Sequence, residues 1–274
     1  MYVSILSACN STQLGMWSNI FQLISRKFQL KFKDRAAAAN ILAAALKNVL
    51  LKKSELKESI VLGIPRGGVI TADIVASKLA SSLSNAAVVI DFDILMPRKL
   101  PIPNNSEVAI GAIMEDSSTY LDHTLVDQIQ ISQGYIEKQK SKQLEEIKRW
   151  LSLYRNTIEL GERERKIKQH RTVILIDDGI ATGATMIAAA RWIRRNKQKS
   201  QEPRHLIIGA TVAPKETVEL LKREADHVEV ITTPSSSNFM SVGQFYQNFE
   251  PVSDQQVVDI MRKRNLISWP VHYY

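Results

Sequence analysis

Two adjacent carboxylates, Asp177 and Asp178, directly follow four apolar residues, Val173, Ile174, Leu175 and Ile176. A continuous apolar run rich in β-branched residues reads as a parallel strand covered on both faces. Two unpaired charges could not stay inside such a strand, so they mark its C-terminal end. Gly179 to Ala184 then forms a loop of mainly small residues, and Met186, Ile187, Ala190 and Ile193 fall on one face of a following helix. A loop of this kind leaves backbone N–H groups unpaired at a helix N-terminus, with the positive end of the dipole behind them. That is a phosphate site. Thr182 and Thr185 can add hydroxyl donors, and Gly183 lets the backbone approach a ligand closely. The two aspartates can accept hydrogen bonds from a vicinal diol. Phosphate donors beside paired diol acceptors describe a ribose 5-phosphate. The competing reading is an ordinary strand–turn–helix in which Asp178 caps the helix.

The same device occurs earlier. Ile60 to Ile64 reads as a second buried strand, followed by Pro65-Arg66-Gly67-Gly68 and a helix from about Val69 to Leu83. Gly67 and Gly68 leave N–H groups uncovered, and Arg66 brings a fixed charge with bidentate reach. This loop reads as a second anion site.

The stretch Val173 to Thr185, V-I-L-I-D-D-G-I-A-T-G-A-T, resembles the 5-phosphoribosyl-1-pyrophosphate (PRPP) motif of type I phosphoribosyltransferases. Gly179 departs from the pattern, standing where many members carry Val or Ile. Ala181 departs from purine-salvage members, which often carry an acid there, so no general base is identified. The order of features over about Lys31 to Lys263 resembles one bacterial and archaeal group of predicted phosphoribosyltransferases. The resemblance implies a Rossmann-like α/β fold, a mainly parallel sheet flanked by helices with a small hood and flexible-loop region. It implies PRPP held by Arg66, Gly67, Gly68, Asp177, Asp178, Gly179, Ala181, Thr182, Gly183, Ala184 and Thr185. The 5-phosphate is expected on Ala181–Thr185 and the pyrophosphate on the loop after the first core strand. Mg2+ is the expected cofactor, met by Asp177 and Asp178 only through PRPP or water. In the family a mobile loop closes over the reacting ribose, and Met96 to Asn105, with three prolines and the adjacent cations Arg98 and Lys99, is expected to be that loop. Arg98 and Lys99 are candidates for pyrophosphate contact, against the alternative of two solvated cations. Asp177, Asp178, Arg66 and Lys99 are the expected catalytic set. The implied reaction moves a phosphoribosyl group to a nitrogen acceptor, a nucleobase, and a homodimer is expected. Some relatives bind PRPP only as an effector and regulate transcription, which is the alternative.

The remaining sequence bounds these readings. The chain has 274 residues, 45% hydrophobic and 23% charged, the composition of a globular protein. No apolar run reaches the ~18 residues of a membrane span. Cys9 is the single cysteine, so neither an internal disulfide framework nor a Cys-rich zinc site is possible, and a cytoplasmic protein is expected. The net charge of +8 is concentrated in residues 26–35 and 137–171. Such a surface could attract RNA, but no aromatic-interleaved basic motif accompanies it, so a solvated helix face beside a polyphosphate ligand is preferred.

Residues 1–30 read as an N-terminal extension, 31–264 as the phosphoribosyltransferase domain and 265–274 as a tail. Leu6 to Cys9 superficially resembles a lipoprotein site but lacks a signal peptide's basic start and apolar core. Residues 16–30 have apolar positions at helical spacing, and Met16 or a later residue is an alternative start. Asp34 is expected to cap an Ala/Leu-rich helix to Leu51. Ala86 to Asp91 predicts a third strand, and Glu107–Met114 with Thr119–Leu121 a hairpin. Asp122 to Arg155 predicts a helical region broken near Ser132–Gly134, with Leu144, Ile147, Leu151 and Tyr154 as its buried stripe and a Glu145–Arg149 pair, read as scaffold or dimer surface. Asn156 to Arg171 reads as a charged linker. His205–Ala213 and His227–Thr232 predict two more strands, with a helix from Pro214 between them. Phe239, Phe245 and Tyr246 lie on a Ser-rich loop, where they could stack on a base or anchor packing. Ser253 and Gln256 make a capping-box pattern for a last helix.

Overall fold

The computed structural model describes residues 31–51, 58–83, 88–155, 166–167, 170–195 and 205–267. The N-terminal extension over residues 1–30, most of the charged linker and the tail beyond 267 lie outside the described residues.

Five strands form one parallel sheet in the order β2-β1-β6-β7-β8. They are β1 (Glu58–Gly63), β2 (Val89–Ile94), β6 (Thr172–Asp177), β7 (His205–Val212) and β8 (His227–Thr232). Three further strands, β3 (Arg98–Ile102), β4 (Asn105–Ile113) and β5 (Thr119–Leu121), make a separate antiparallel sheet. The helices are α1 (Arg35–Leu51), α2 (Gly67–Leu83), α3 (His123–Gln128), α4 (Gln133–Tyr154), α5 (Ala184–Arg195), α6 (Lys215–Leu221) and α7 (Asp254–Lys263).

The period-two geometry of a strand divides the core. Ile174 and Ile176 of β6 join Val61 and Ile207 in the cluster that α1, α2 and α7 cover, through Leu42, Leu46, Val75, Leu79 and Val257. Val173 and Leu175 face the other way, with Ile60, Leu62 and Ile208, onto α5. Both faces of β6 are therefore apolar, as its unbroken hydrophobic run requires. The antiparallel sheet is also covered twice. Leu100, Ile110 and Ile113 pack with Ile147 and Trp150 of α4, while Ala109 and Ala112 pack in the cluster of α5.

The chain runs β1–α2–β2 toward one sheet edge and β6–α5–β7 toward the other, so strand order reverses between β1 and β6. The loops leaving these two neighbours diverge there and open the crevice where such sheets take ligands. Ile64 N donates to Ile176 O at 3.0 Å, which ties the two loop bases side by side.

The caps expected at Asp34 and Ser253 formed, and two more appear at Asp122 and Ser132. Asp34 Oδ1 accepts from Ala37 N (2.8 Å) and starts α1. Asp122 caps α3, Ser132 caps α4 after the expected break, and Ser253 with Gln256 completes the capping box of α7. Three expectations need correction. The Pro-rich segment over residues 96–105 is not a surface loop: residues 98–102 are β3, and Met96 and Leu100 are fully buried. Arg149 pairs not with Glu145 but with Glu146, one position nearer along α4 (3.2 Å). The third strand, expected over Ala86 to Asp91, is found at Val89–Ile94, with Ala86 and Ala87 outside the described residues.

Candidate functional site

Asp177 and Asp178 sit at the C-terminal end of β6, facing the loop after β1. The loops are so close that a Cβ on Gly67 would lie 1.9 Å from Asp178 Oδ2, and one on Gly68 would lie 2.8 Å from Asp177 Oδ1. The peptide bond between Pro65 and Arg66 is cis. Arg66 is exposed on this loop, with Nη1 3.5 Å from Asp254 Oδ1.

Asp178 is held from behind. Arg35, the first residue of α1, donates from Nε to Asp178 Oδ2 at 2.6 Å and from Nη1 to Glu250 O at 2.6 Å. Its guanidinium lies 3.8 Å from the centroid of the Phe249 ring. Tyr246 OH donates to Asp178 O at 2.7 Å, and Thr211 Oγ1 bonds the same carbonyl at 2.5 Å. Tyr246 packs on Phe32 and Phe249 with ring centroids 5.3 and 4.7 Å away. Burial, and then the charge of Asp178, push the Tyr246 phenol far above its usual range, so it is a permanent donor. Sequence reasoning did not single out Arg35 or Thr211 for the site. Arg35 is 143 positions from its partner and stood as one cation in a basic run. Tyr246 is an anchor of Asp178. Tyr246→Phe should leave the carbonyl with Thr211 alone, costing about 1–2 kcal/mol. A drop of a few degrees in Tm, with ligand affinity reduced only several-fold, is the expected result of thermal melts and titration.

Asp177 differs from its neighbour. Burial first, and then the adjacent Asp178 charge, push its carboxyl well above the usual carboxylate range. Its Oδ1 accepts from Asp178 N at 2.8 Å. The residue keeps some exposed surface, but its carboxylate lies against Gly68 and the Asp178 backbone, without a full water shell.

The loop after β6 turns through Gly183, whose φ of +83° is a left-handed conformation that glycine adopts without steric cost. Thr217 of α6 fixes the loop, donating from Oγ1 to Ala181 O at 2.7 Å. Ile187 N bonds Gly183 O at 2.8 Å, so the N–H groups of the turn before it have no intrahelical acceptor. Ala181 and Thr182 are exposed and Thr185 half-buried, around this first turn of α5.

Gly179 has a structural reason. A Cβ there would meet Val242 Cγ1 at 2.3 Å, so Val242, in the turn Val242–Phe245, fills the room a larger residue would use. Gly179→Val should therefore push this turn away, costing about 2–3 kcal/mol. Adding Val242→Ala should recover much of that loss, and a double-mutant cycle on Tm measures the coupling. Phe239 and Phe245 stack on one another, with centroids 5.8 Å apart, and the neighbouring Met240 is 91% exposed.

Arg98 is turned onto α4. Its Nε donates to Gln143 Oε1 at 3.0 Å, and its guanidinium lies 4.4 Å from the Trp150 ring. Burial lowers its pKa. Lys99, the next residue of β3, is exposed. The two expected loop cations are thus fixed on a paired strand, one of them engaged with a helix.

Among the described residues no group of three or more His, Cys, Asp or Glu forms a ready metal cage. Asp177 and Asp178, one already bonded to Arg35, are oxygen donors of the kind Mg2+ takes, but too few to hold it without water or a ligand.

A family model described as a phosphoribosyl transferase domain matches residues 29–248. A protein named "Putative phosphoribosyl transferase", present in two strains of Mycobacterium tuberculosis, is 33% identical over 227 residues. That match covers 83% of this chain and 45% of the relative, so the chain spans less than half the length of those relatives. The crystal structure of TT1426 from Thermus thermophilus superposes with a TM-score of 0.58 at 30% identity, over 85% of this chain and 99% of that one. With its loops meeting at the β1/β6 switch point and the family model matched across most of its length, the chain belongs to the phosphoribosyl transferase family.

Proposed function

We propose that this protein transfers the 5-phosphoribosyl group of PRPP to a nitrogen acceptor, a nucleobase, and releases pyrophosphate. The observation that carries this reading is the loop Pro65–Gly68 closed against Asp177 and Asp178, with Ala181–Thr185 following them into the first turn of α5. The 5-phosphate takes the N–H groups of the first turn of α5 and the hydroxyls of Thr182 and Thr185. Asp177 and Asp178 accept from the ribose hydroxyls. Arg66 and the backbone of Gly67 and Gly68 hold the pyrophosphate, and Lys99 reaches it from β3.

Heterolysis of the C1–O bond leaves positive charge on the ribose and sends the electron pair to pyrophosphate. Arg66 stabilises the leaving group, and the aspartates stabilise the cation. The acceptor nitrogen forms the new bond to C1 and gives its proton to solvent, since Ala181 offers no side-chain base. Mg2+ bound with PRPP would further neutralise the diphosphate, with Asp177 and Asp178 meeting it through ligand or water. No helix among the described residues is long and apolar enough to cross a membrane.

The test is pyrophosphate release from PRPP with Mg2+ over a panel of nucleobases. Release with one base, lost in Asp178→Asn, is expected. PRPP binding without release for any base would overturn the nucleobase transferase reading in favour of a PRPP-responsive regulator.

A further inference from the structure

A second set of charges gathers around Asp254, the first residue of α7. Arg66 Nη1 lies 3.5 Å from its Oδ1, and Arg149 Nη1 of α4 lies 3.6 Å from its Oδ2. Tyr154 OH donates to the same carboxylate. Arg66 comes from the loop after β1, Arg149 from a helix over the antiparallel sheet, and Asp254 from near the C-terminal end of the domain. Ion pairs this long, between side chains 43%, 52% and 34% exposed, stabilise the fold little. What they do is aim two guanidinium forks at one point beside the pyrophosphate loop. A guanidinium fork matches phosphate oxygens as well as carboxylate oxygens.

We infer that Arg149 is a second arginine for the pyrophosphate group, with Asp254 holding Arg66 and Arg149 until the polyphosphate takes them. The inference rests on reading Pro65–Gly68 as the pyrophosphate loop. Tyr154 makes the exchange workable. Burial, and then its bond to Asp254, raise its phenol far above the usual range, so it stays a donor at any working pH. Asp254 therefore keeps a partner when the guanidiniums leave. Glu146 guides Arg149 from one turn away, bonding Nε at 3.2 Å, and leaves Nη1 toward Asp254. Arg98 lies near enough to add positive potential to the same corner. The long basic helix, read from sequence as scaffold, thus contributes to ligand binding.

The test is calorimetric titration of pyrophosphate with Mg2+, and separately of ribose 5-phosphate, into wild type, Arg149→Gln and Asp254→Asn. Arg149→Gln should weaken pyrophosphate at least tenfold and leave ribose 5-phosphate within twofold. Asp254→Asn should tighten pyrophosphate about three- to tenfold, because a competing charge is gone. Should Arg149→Gln fail to fold, Arg149→Lys keeps the charge without the fork and should show an intermediate loss. Pyrophosphate affinity unchanged in the Arg149 variants, or unimproved in Asp254→Asn, would overturn this inference alone. Wild type that binds ribose 5-phosphate but not pyrophosphate would remove the loop reading and this inference with it.

Discussion

Gly67→Ala is expected to abolish PRPP binding, weakening it at least 100-fold, while the protein stays folded. The new methyl carbon would sit 1.9 Å from Asp178 Oδ2 and 2.5 Å from its Cγ. Asp178 has no room to retreat, because Arg35 bonds that same oxygen at 2.6 Å and Tyr246 and Thr211 hold its carbonyl. Either the carboxylate swings off Arg35 or the loop after β1 lifts. The first removes the proposed diol acceptor, and the second moves Arg66 and the N–H groups of Gly67 and Gly68. Overpacking of this kind costs about 1–3 kcal/mol, more than the roughly 0.4–1 kcal/mol gained from a stiffer unfolded chain. Gly134→Ala is the control. Gly134 lies in the first turn of α4 with nothing within 4 Å of its would-be Cβ. That variant should be slightly more stable, by about 0.5–1 kcal/mol, and should bind as wild type. Titration and thermal melts of both proteins check the pair.

The second large effect separates the two aspartates. Both Asp177→Asn and Asp178→Asn should lose PRPP binding, but their stabilities should move in opposite directions. Asp177 in the folded protein has a raised pKa, from burial and from Asp178 beside it. Between its ordinary value and the raised one, the folded state binds more protons than the unfolded state, so stability falls as pH rises through that window. Above it the whole penalty is present. An asparagine at this position removes the charge, and its amide oxygen still accepts from Asp178 N. Asp177→Asn should therefore melt at a higher temperature than wild type at pH values above that window. The gain should vanish toward pH 4, where wild type is protonated as well. Asp178→Asn instead weakens a largely buried pairing with Arg35 and should lose about 1–2 kcal/mol. Melting curves of the three proteins against pH would show the divergence. Equal shifts in both variants would contradict the assignment of charge strain to Asp177.

The two variants also show how much of the site was legible in the sequence. β6 was readable because a strand buried on both faces must be apolar throughout, and because acids cannot follow it inside the sheet. The capped helix starts at Asp34 and Ser253 were readable because a cap involves residues only three apart, whereas near Ser132 the sequence marked only a break. The segment over residues 98–102 misled because prolines argue against strands. It lies at the edge of its sheet, where an absent N–H costs little, and its pairing is interrupted at Pro101. The partners of the site residues were not legible. Arg35 with Asp178, Tyr246 with Asp178 and Arg66 with Asp254 join positions 143, 68 and 188 apart. Nothing local in the sequence distinguishes these residues from solvated cations or ordinary packing aromatics. Val242 filling the space beside Gly179 is the same kind of fact, with the glycine visible in the sequence and its occupant visible only in the fold.

The most direct test of the central claim is calorimetric titration of PRPP with Mg2+ into wild type and Asp178→Asn. Saturable binding of one PRPP per chain by wild type, weakened at least 100-fold in Asp178→Asn, is the expected result. No binding by wild type, or equal binding by both proteins, would contradict the assignment of the β1/β6 crevice as a PRPP site.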